Sequence, residues 1–167
     1  MKKLIIVCVI TLVIVSCNKN QIYKETISFK NYKWERLSED KKNGNFIEFK
    51  DIDVKKIDSP YDIYLIVRHL GLINIDNVKL LIEIISPSGT KRTSNVNIKL
   101  KDRNGKKFIG DVMGDFYDVE EKVKSFMSFT ETGNHTIKIT NLSSSFEIIG
   151  IIDMTLKISK SELNYNI

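Results

Sequence analysis

Residues 62–70, Asp-Ile-Tyr-Leu-Ile-Val-Arg-His-Leu, decide the fold. Side chains on a β-strand alternate between two faces. On that period Ile63, Leu65, Val67 and His69 share one face, and Tyr64, Ile66, Arg68 and Leu70 share the other. The first face suits a packed core. The second is mixed, which predicts a central strand rather than a marginal one. The run is rich in β-branched residues, Ile63, Ile66 and Val67, as a half-buried pleated surface favours.

The same period continues on both sides. Residues 77–86 put Val78, Leu80, Ile82 and Ile84 inward, and residues 95–101 set Val96, Ile98 and Leu100 against Asn97, Lys99 and Lys101. Residues 148–158 set Ile152, Met154, Leu156 and Ile158 against Asp153, Thr155 and Lys157. Turn chemistry separates these runs: Ser86-Pro87-Ser88-Gly89, Asp102-Arg103-Asn104-Gly105, and Thr132-Gly133-Asn134 ahead of another strand at 134–140. Asn-Gly accepts the positive φ angles of a tight hairpin. Short strands punctuated by turns predict an all-β chain, an antiparallel β-sandwich of jelly-roll or immunoglobulin-like type. Phe46 to Phe49 and Ile52 to Val54 disagree in parity, which predicts a bulge. Val119, Val123 and Phe126 have helical spacing, so a short helix or irregular segment is expected there.

The N-terminus reads differently. Met1-Lys2-Lys3 precedes an apolar run from Leu4 to Val15 that stops at Ser16-Cys17-Asn18-Lys19. A positive n-region followed by an apolar h-region is the pattern of a secretory signal. The run is short for a membrane-spanning helix, which takes about 20 apolar residues. Ile14-Val15-Ser16-Cys17 is similar to a bacterial lipobox, with Cys17 as the lipidated residue that becomes the mature N-terminus. An uncleaved membrane helix is the rival reading. A Cys8–Cys17 disulfide is the weaker one, because Cys8 lies in the segment to be removed and no other cysteine exists. The expected organisation is a signal peptide over 1–16, a tether and first strand over 17–30, a sandwich over 31–160 and a polar tail over 161–167.

Removing residues 1–16 leaves 151 residues, enough to bury a core without disulfides. It also removes Lys2 and Lys3, leaving 24 basic against 21 acidic residues. So small an excess, with both signs interleaved, argues against a nucleic-acid partner. The inventory for catalysis is thin. His69 and His135 share strand faces with aliphatic residues, no third ligand accompanies them for zinc, and no nucleophile elbow or phosphate-cradling loop is present. Neither enzymatic activity nor a cofactor nor a bound metal is expected. The densest polar constellation is Gly110-Asp-Val-Met-Gly-Asp-Phe-Tyr-Asp118, whose spacing does not match a calcium loop. Asp111, Gly114, Asp115 and Asp118 are therefore candidates for a partner-facing loop. Tyr32 with Trp34, and Tyr61 with Tyr64, are candidate aromatic platforms for an alternative reading as a glycan-binding module.

From the lipobox to about Lys160 the chain resembles the GldH family of gliding-motility lipoproteins. The resemblance rests on Trp34 after an aromatic-rich start, on the strand Tyr61 to Val67 closing on Arg68-His69, and on Asn77 ahead of the next apolar strand. Ser86-Pro87-Ser88-Gly89, the step from Gly105 to Gly110, Gly114-Asp115 and Gly133 complete it. Phe108 departs from the family, where Trp is usual. The resemblance implies a non-enzymatic accessory lipoprotein of the gliding and associated secretion machinery, held to a membrane by acyl chains on Cys17 and contacting other envelope or motility proteins. Arg68, His69 and Asn77 are the strand positions it singles out. Asn18 to Gln21 lack an acidic cluster, which favours the periplasmic face of the outer membrane.

Overall fold

The computed structural model describes residues 20–35 and 46–162. In chain order the strands are β1 (Gln21–Ser28), β2 (Lys33–Glu35), β3 (Phe46–Val54), β4 (Tyr61–Leu70), β5 (Asn77–Ile85), β6 (Lys91–Lys99), β7 (Asp111–Met113), β8 (Phe116–Met127), β9 (Gly133–Asn141), β10 (Glu147–Ile149) and β11 (Ile151–Lys160). A single 3-10 turn at Lys30–Tyr32 is the only helical element among the described residues. Cys17 and the expected signal segment over 1–16 lie outside the described residues.

One sheet runs β1-β11-β4-β8-β7, the other β3-β9-β5-β6, and β2 pairs with β10 in a short ribbon. Every pairing is antiparallel. The pairs nest around the β5–β6 hairpin: β4 with β8, β3 with β9, and outermost β1 with β11. A ribbon nested in this way and wrapped into two sheets is a jelly roll, which decides between the two sandwich types that periodicity left open.

β4 is central, as its apolar face and its mixed one predict. Ile63, Leu65 and Val67 are fully buried, with Leu156 of β11 opposite Leu65. Across the sandwich Leu80, Ile82, Ile98, Ile137 and Ile139 close the core from the other sheet. The parity break in β3 is a bulge at Asp51, where φ is 55° and the register against β9 shifts between Phe49 and Ile52. The extra residue lets both Phe49 and Ile52 point inward.

Three local expectations need correction. Residues 119–126 are not helical but part of β8, an irregular stretch of strand whose register against β4 shifts between Lys122 and Met127 and in which Phe126 has φ 50°. Glu121 takes the inward-side position opposite Leu65 between Val119 and Val123, and it is exposed because β8 lies near the sheet edge. An edge strand does not need an unbroken apolar face, so the remaining apolar spacing looked helical. The run 148–158 is two strands divided at Gly150, whose φ is 93° and where a Cβ would sit 2.9 Å from the Ile73 Cα. A register shift at the start of β11 then buries Ile151 rather than Ile152. Finally, Asp102 to Gly105 forms a tight turn, but only the single bridge Lys101–Phe108 follows it, not a ladder.

Leu65→Ala removes a fully buried side chain from a strand paired on both sides. The expected loss is about 2–5 kcal/mol of unfolding free energy, read as a lower midpoint in a denaturant titration at unchanged slope.

Candidate interaction site at the β7–β8 hairpin

The segment expected to be a loop is a β-hairpin. Met113 pairs with Phe116, Val112 with Tyr117 and Asp111 with Asp118, leaving Gly114-Asp115 as a two-residue turn. Gly114 has φ 62° and Asp115 does not have a positive φ, the arrangement in which glycine takes the first central position of a type II′ turn. Gly110 starts the hairpin at φ 104°, and a Cβ there would overlap the Asp118 carbonyl oxygen.

Asp111 and Asp118 face each other across the hairpin, and like charges directly opposite are unfavourable. Arg68 relieves the strain. It lies in register between Asp118 of β8 and Asp153 of β11. Its Nε donates to Asp118 Oδ1 and its Nη2 to Asp118 Oδ2, both at 2.7 Å, while Nη1 is 3.9 Å from Asp153. The bidentate Arg68 fork holds the Asp118 carboxyl below its ordinary range, whereas burial pushes Asp153 up despite Arg68. Asp118 is thus committed to the protein, and Asp111 and Asp115 stand exposed. No three acidic, histidine or cysteine side chains converge on one point among the described residues.

On the inner side of the same strands His69 is fully buried and stacked on Tyr117, with ring centroids 5.4 Å apart, and against Phe108 at 5.0 Å. Its Nδ1 lies 2.9 Å from the Leu70 carbonyl oxygen. A carbonyl only accepts, so Nδ1 carries the proton and Nε2 is a bare acceptor in an aromatic cage. Phe108, ahead of β7, packs on the histidine. Asn77 is elsewhere: it opens β5 in the other sheet, opposite Lys99, so the structure does not join it to Arg68 and His69.

The hairpin carries apolar side chains that spacing did not single out. Val112 is 62% exposed, Met113 63% and Phe116 42%, and Leu72 beside them is 68% exposed. Gly71 N–H bonds to the Asp115 carbonyl at 3.4 Å, which brings Leu72 to the turn. The available signal was a Gly-Asp turn flanked on both sides by apolar residues. Each aromatic pair considered for glycans is split, with Trp34 and Tyr61 in the core while Tyr32 is exposed and Tyr64 half-buried. Trp34 is buried and stacked on Phe29 at 4.9 Å, and Tyr61 is buried against Phe129 at 5.3 Å. Tyr64 is covered by Lys157 and Lys122, 4.4 and 5.2 Å from its ring centre.

Burial pushes the His69 imidazole below its ordinary value of 6.5 despite the Leu70 hydrogen bond and the Asp118 charge. The folded protein therefore keeps it neutral, while the unfolded chain takes up a proton as pH falls through about 6.5. Stability from His69 is present above that pH and falls as acid is added. Burial also raises Asp62, but hydrogen bonds from Lys122, Ser161 and the Phe126 N–H outweigh it and hold this carboxyl at about 2. Asp62 therefore contributes above about pH 4 and loses its contribution as pH falls toward 2. In denaturant titrations across pH 5–8, His69→Phe should gain on the native protein as pH drops below about 6.5. A difference that stays constant with pH would refute this assignment.

No curated protein matches the chain. Among solved structures, TmCBM61 in complex with beta-1,4-galactotriose aligns over 87% of this chain and 92% of its own, at 8% identity and a TM-score of 0.31. A likeness that small carries no inference about this chain. The sequence profile described as GldH lipoprotein matches residues 21–158, from the first residue of β1 into β11, and the chain belongs to the GldH lipoprotein family.

Proposed function

We propose that this protein is a membrane-anchored, non-enzymatic lipoprotein of the bacterial cell envelope, an accessory component of the gliding-motility and associated secretion machinery. The observation that carries the reading is the GldH lipoprotein profile spanning residues 21–158. Cys17 is the attachment point. Each buried methylene contributes about 0.8 kcal/mol and two acyl chains suffice for stable anchoring. β1 starts at Gln21, so the sandwich follows the anchor after a link whose covalent reach is about 10–14 Å. The domain is held close to one membrane surface, which raises the effective concentration of partners confined there. The polar stretch Asn18 to Gln21 favours the periplasmic face of the outer membrane.

Its work is positional. Both histidines are fully buried, so neither offers a base to a substrate, and Asp118 and Asp62 are engaged by Arg68 and Lys122.

Cys17→Ala should move the protein from the membrane pellet to the soluble fraction after cell lysis, with its circular dichroism unchanged. Retention in the pellet would instead favour an uncleaved N-terminal helix. Crosslinking in intact cells followed by identification of co-purifying proteins should enrich motility or secretion components; their absence would remove the motility part of the reading.

A further inference from the structure

The sandwich has two unlike ends. At one end β1 begins: the Lys160 N–H bonds to the Asn20 carbonyl at 2.8 Å, and Asn20 Nδ2 donates to Glu162 at 2.9 Å. The tether leaves here. β4 carries the fold to the opposite end, about 30 Å away at the usual rise per residue, where Leu70 pairs with Phe116. Leu72, Val112, Met113, Phe116 and Phe146, all exposed, belong to this far end.

The sheet edges are also unequal. β6 closes one edge with Lys91, Arg92 and Lys99, and β8 below the hairpin presents Glu120, Glu121, Lys122 and Lys124. Charged side chains on an exposed edge are a common defence against unwanted strand pairing. On the hairpin's edge strand β7 only Asp111 is charged, and Val112 and Met113 stand exposed beside it. Its rim is two-signed: exposed Asp115 lies at the turn, exposed Asp111 at the base of the hairpin, and exposed Arg103, Lys106 and Lys107 on the preceding loop. None of those three cations joins an ion pair among the described residues.

We infer that the hairpin end is a membrane-distal docking surface for a different protein, one whose apolar contact patch is bordered by carboxylates that meet Arg103, Lys106 and Lys107. This deepens the proposal above and rests on anchoring through Cys17. A two-signed rim would also suit a second copy of the chain, but symmetry argues against it. Antiparallel pairing of two β7 edges requires a two-fold axis perpendicular to the strands, which sends the two tethers in opposite directions. Two chains anchored in one leaflet cannot meet that way. A two-fold axis along the strands keeps both tethers on one side but sets Asp111 against Asp111, a like-charge pair. A heterologous partner meets neither obstacle.

The test uses the full-length chain in living cells, with a photo-crosslinking residue placed at Met113 or, on the charged edge, at Ser125. The Met113 probe should give one discrete adduct with another protein, and the Ser125 probe none. The crosslinked segment of that protein should carry Asp or Glu residues. Lys106→Glu combined with Lys107→Glu should lower the Met113 adduct about tenfold or more, since like charges would then face each other, with circular dichroism unchanged. Met113→Ser is not compatible with the Met113 probe, so Leu72→Ser with Phe116→Ser supplies a second variant that should also reduce the adduct. No discrete adduct at Met113, equal adducts at both positions, an adduct with lipid, or an adduct with a second copy would each overturn the inference. Membrane release of Cys17→Ala, scored in parallel, reports on the anchor alone, so the two readings fail separately.

Discussion

The structure depends on β4 being paired along its length on both sides while only one of its faces is dry. β11 and β8 satisfy its backbone, and Ile63, Leu65 and Val67 join the core. Its other face must stay compatible with water, and there cross-strand charge organises the sheet. Arg68 sits between Asp118 and Asp153, Lys122 bonds Asp62 at 2.6 Å, and Lys157 bonds Glu120 at 2.6 Å. Each such pair is worth little where solvent screens it. Their positional effect is larger: a register slip of one residue on β8 or β11 would separate the pairs and turn Val119 or Leu156 outward together.

The hairpin is tied to this centre from two sides. On the outer face Arg68 fixes Asp118, and on the inner face the ring of Tyr117 lies nearly parallel to that of His69, at 9°. Phe108 packs on both rings and anchors the loop that crosses from β6 to β7. A segment with few core residues of its own thereby gains a defined position. The histidine suits this place because neutral imidazole is flat, packs like an aromatic and ties its Nδ1–H to the backbone. It also makes the cage sensitive to acid, since a proton on Nε2 would be a buried charge without a partner.

How much was legible in the sequence follows from where each residue sits. Strands β4, β5, β6 and β9 alternate cleanly because one of their faces meets the core, and the bulge in β3 showed itself as a parity break between Phe49 and Ile52. β8 was opaque because an edge position tolerates Glu121 facing the inner side. The division at Gly150 was opaque because the close approach of Ile73 is made by a residue 77 positions earlier in the chain. Asp111, Gly114, Asp115 and Asp118 were recognisable as a constellation, but not their division of labour: the register pairs Asp118 with Arg68 and leaves Asp111 and Asp115 to solvent. Exposure at Val112 and Met113 depends on β7 ending after three residues.

The choice between jelly-roll and immunoglobulin-like sandwiches was beyond periodicity for the same reason, since both supply the same alternation. What separates them is long-range order: β1 closing on β11 brings residues 21–28 against 153–159. That closure has a directional consequence. It fixes the start of β1 beside the end of β11 and the start of β4, so whatever precedes Asn20 leaves from that end. Because β1 and β4 both run antiparallel to β11, their C-terminal ends lie together as well, and the β7–β8 hairpin, registered to the last residues of β4, is fixed at that other end. The separation between tether and hairpin is therefore a property of the nested topology itself, maintained by the length of the central strands rather than by any single contact.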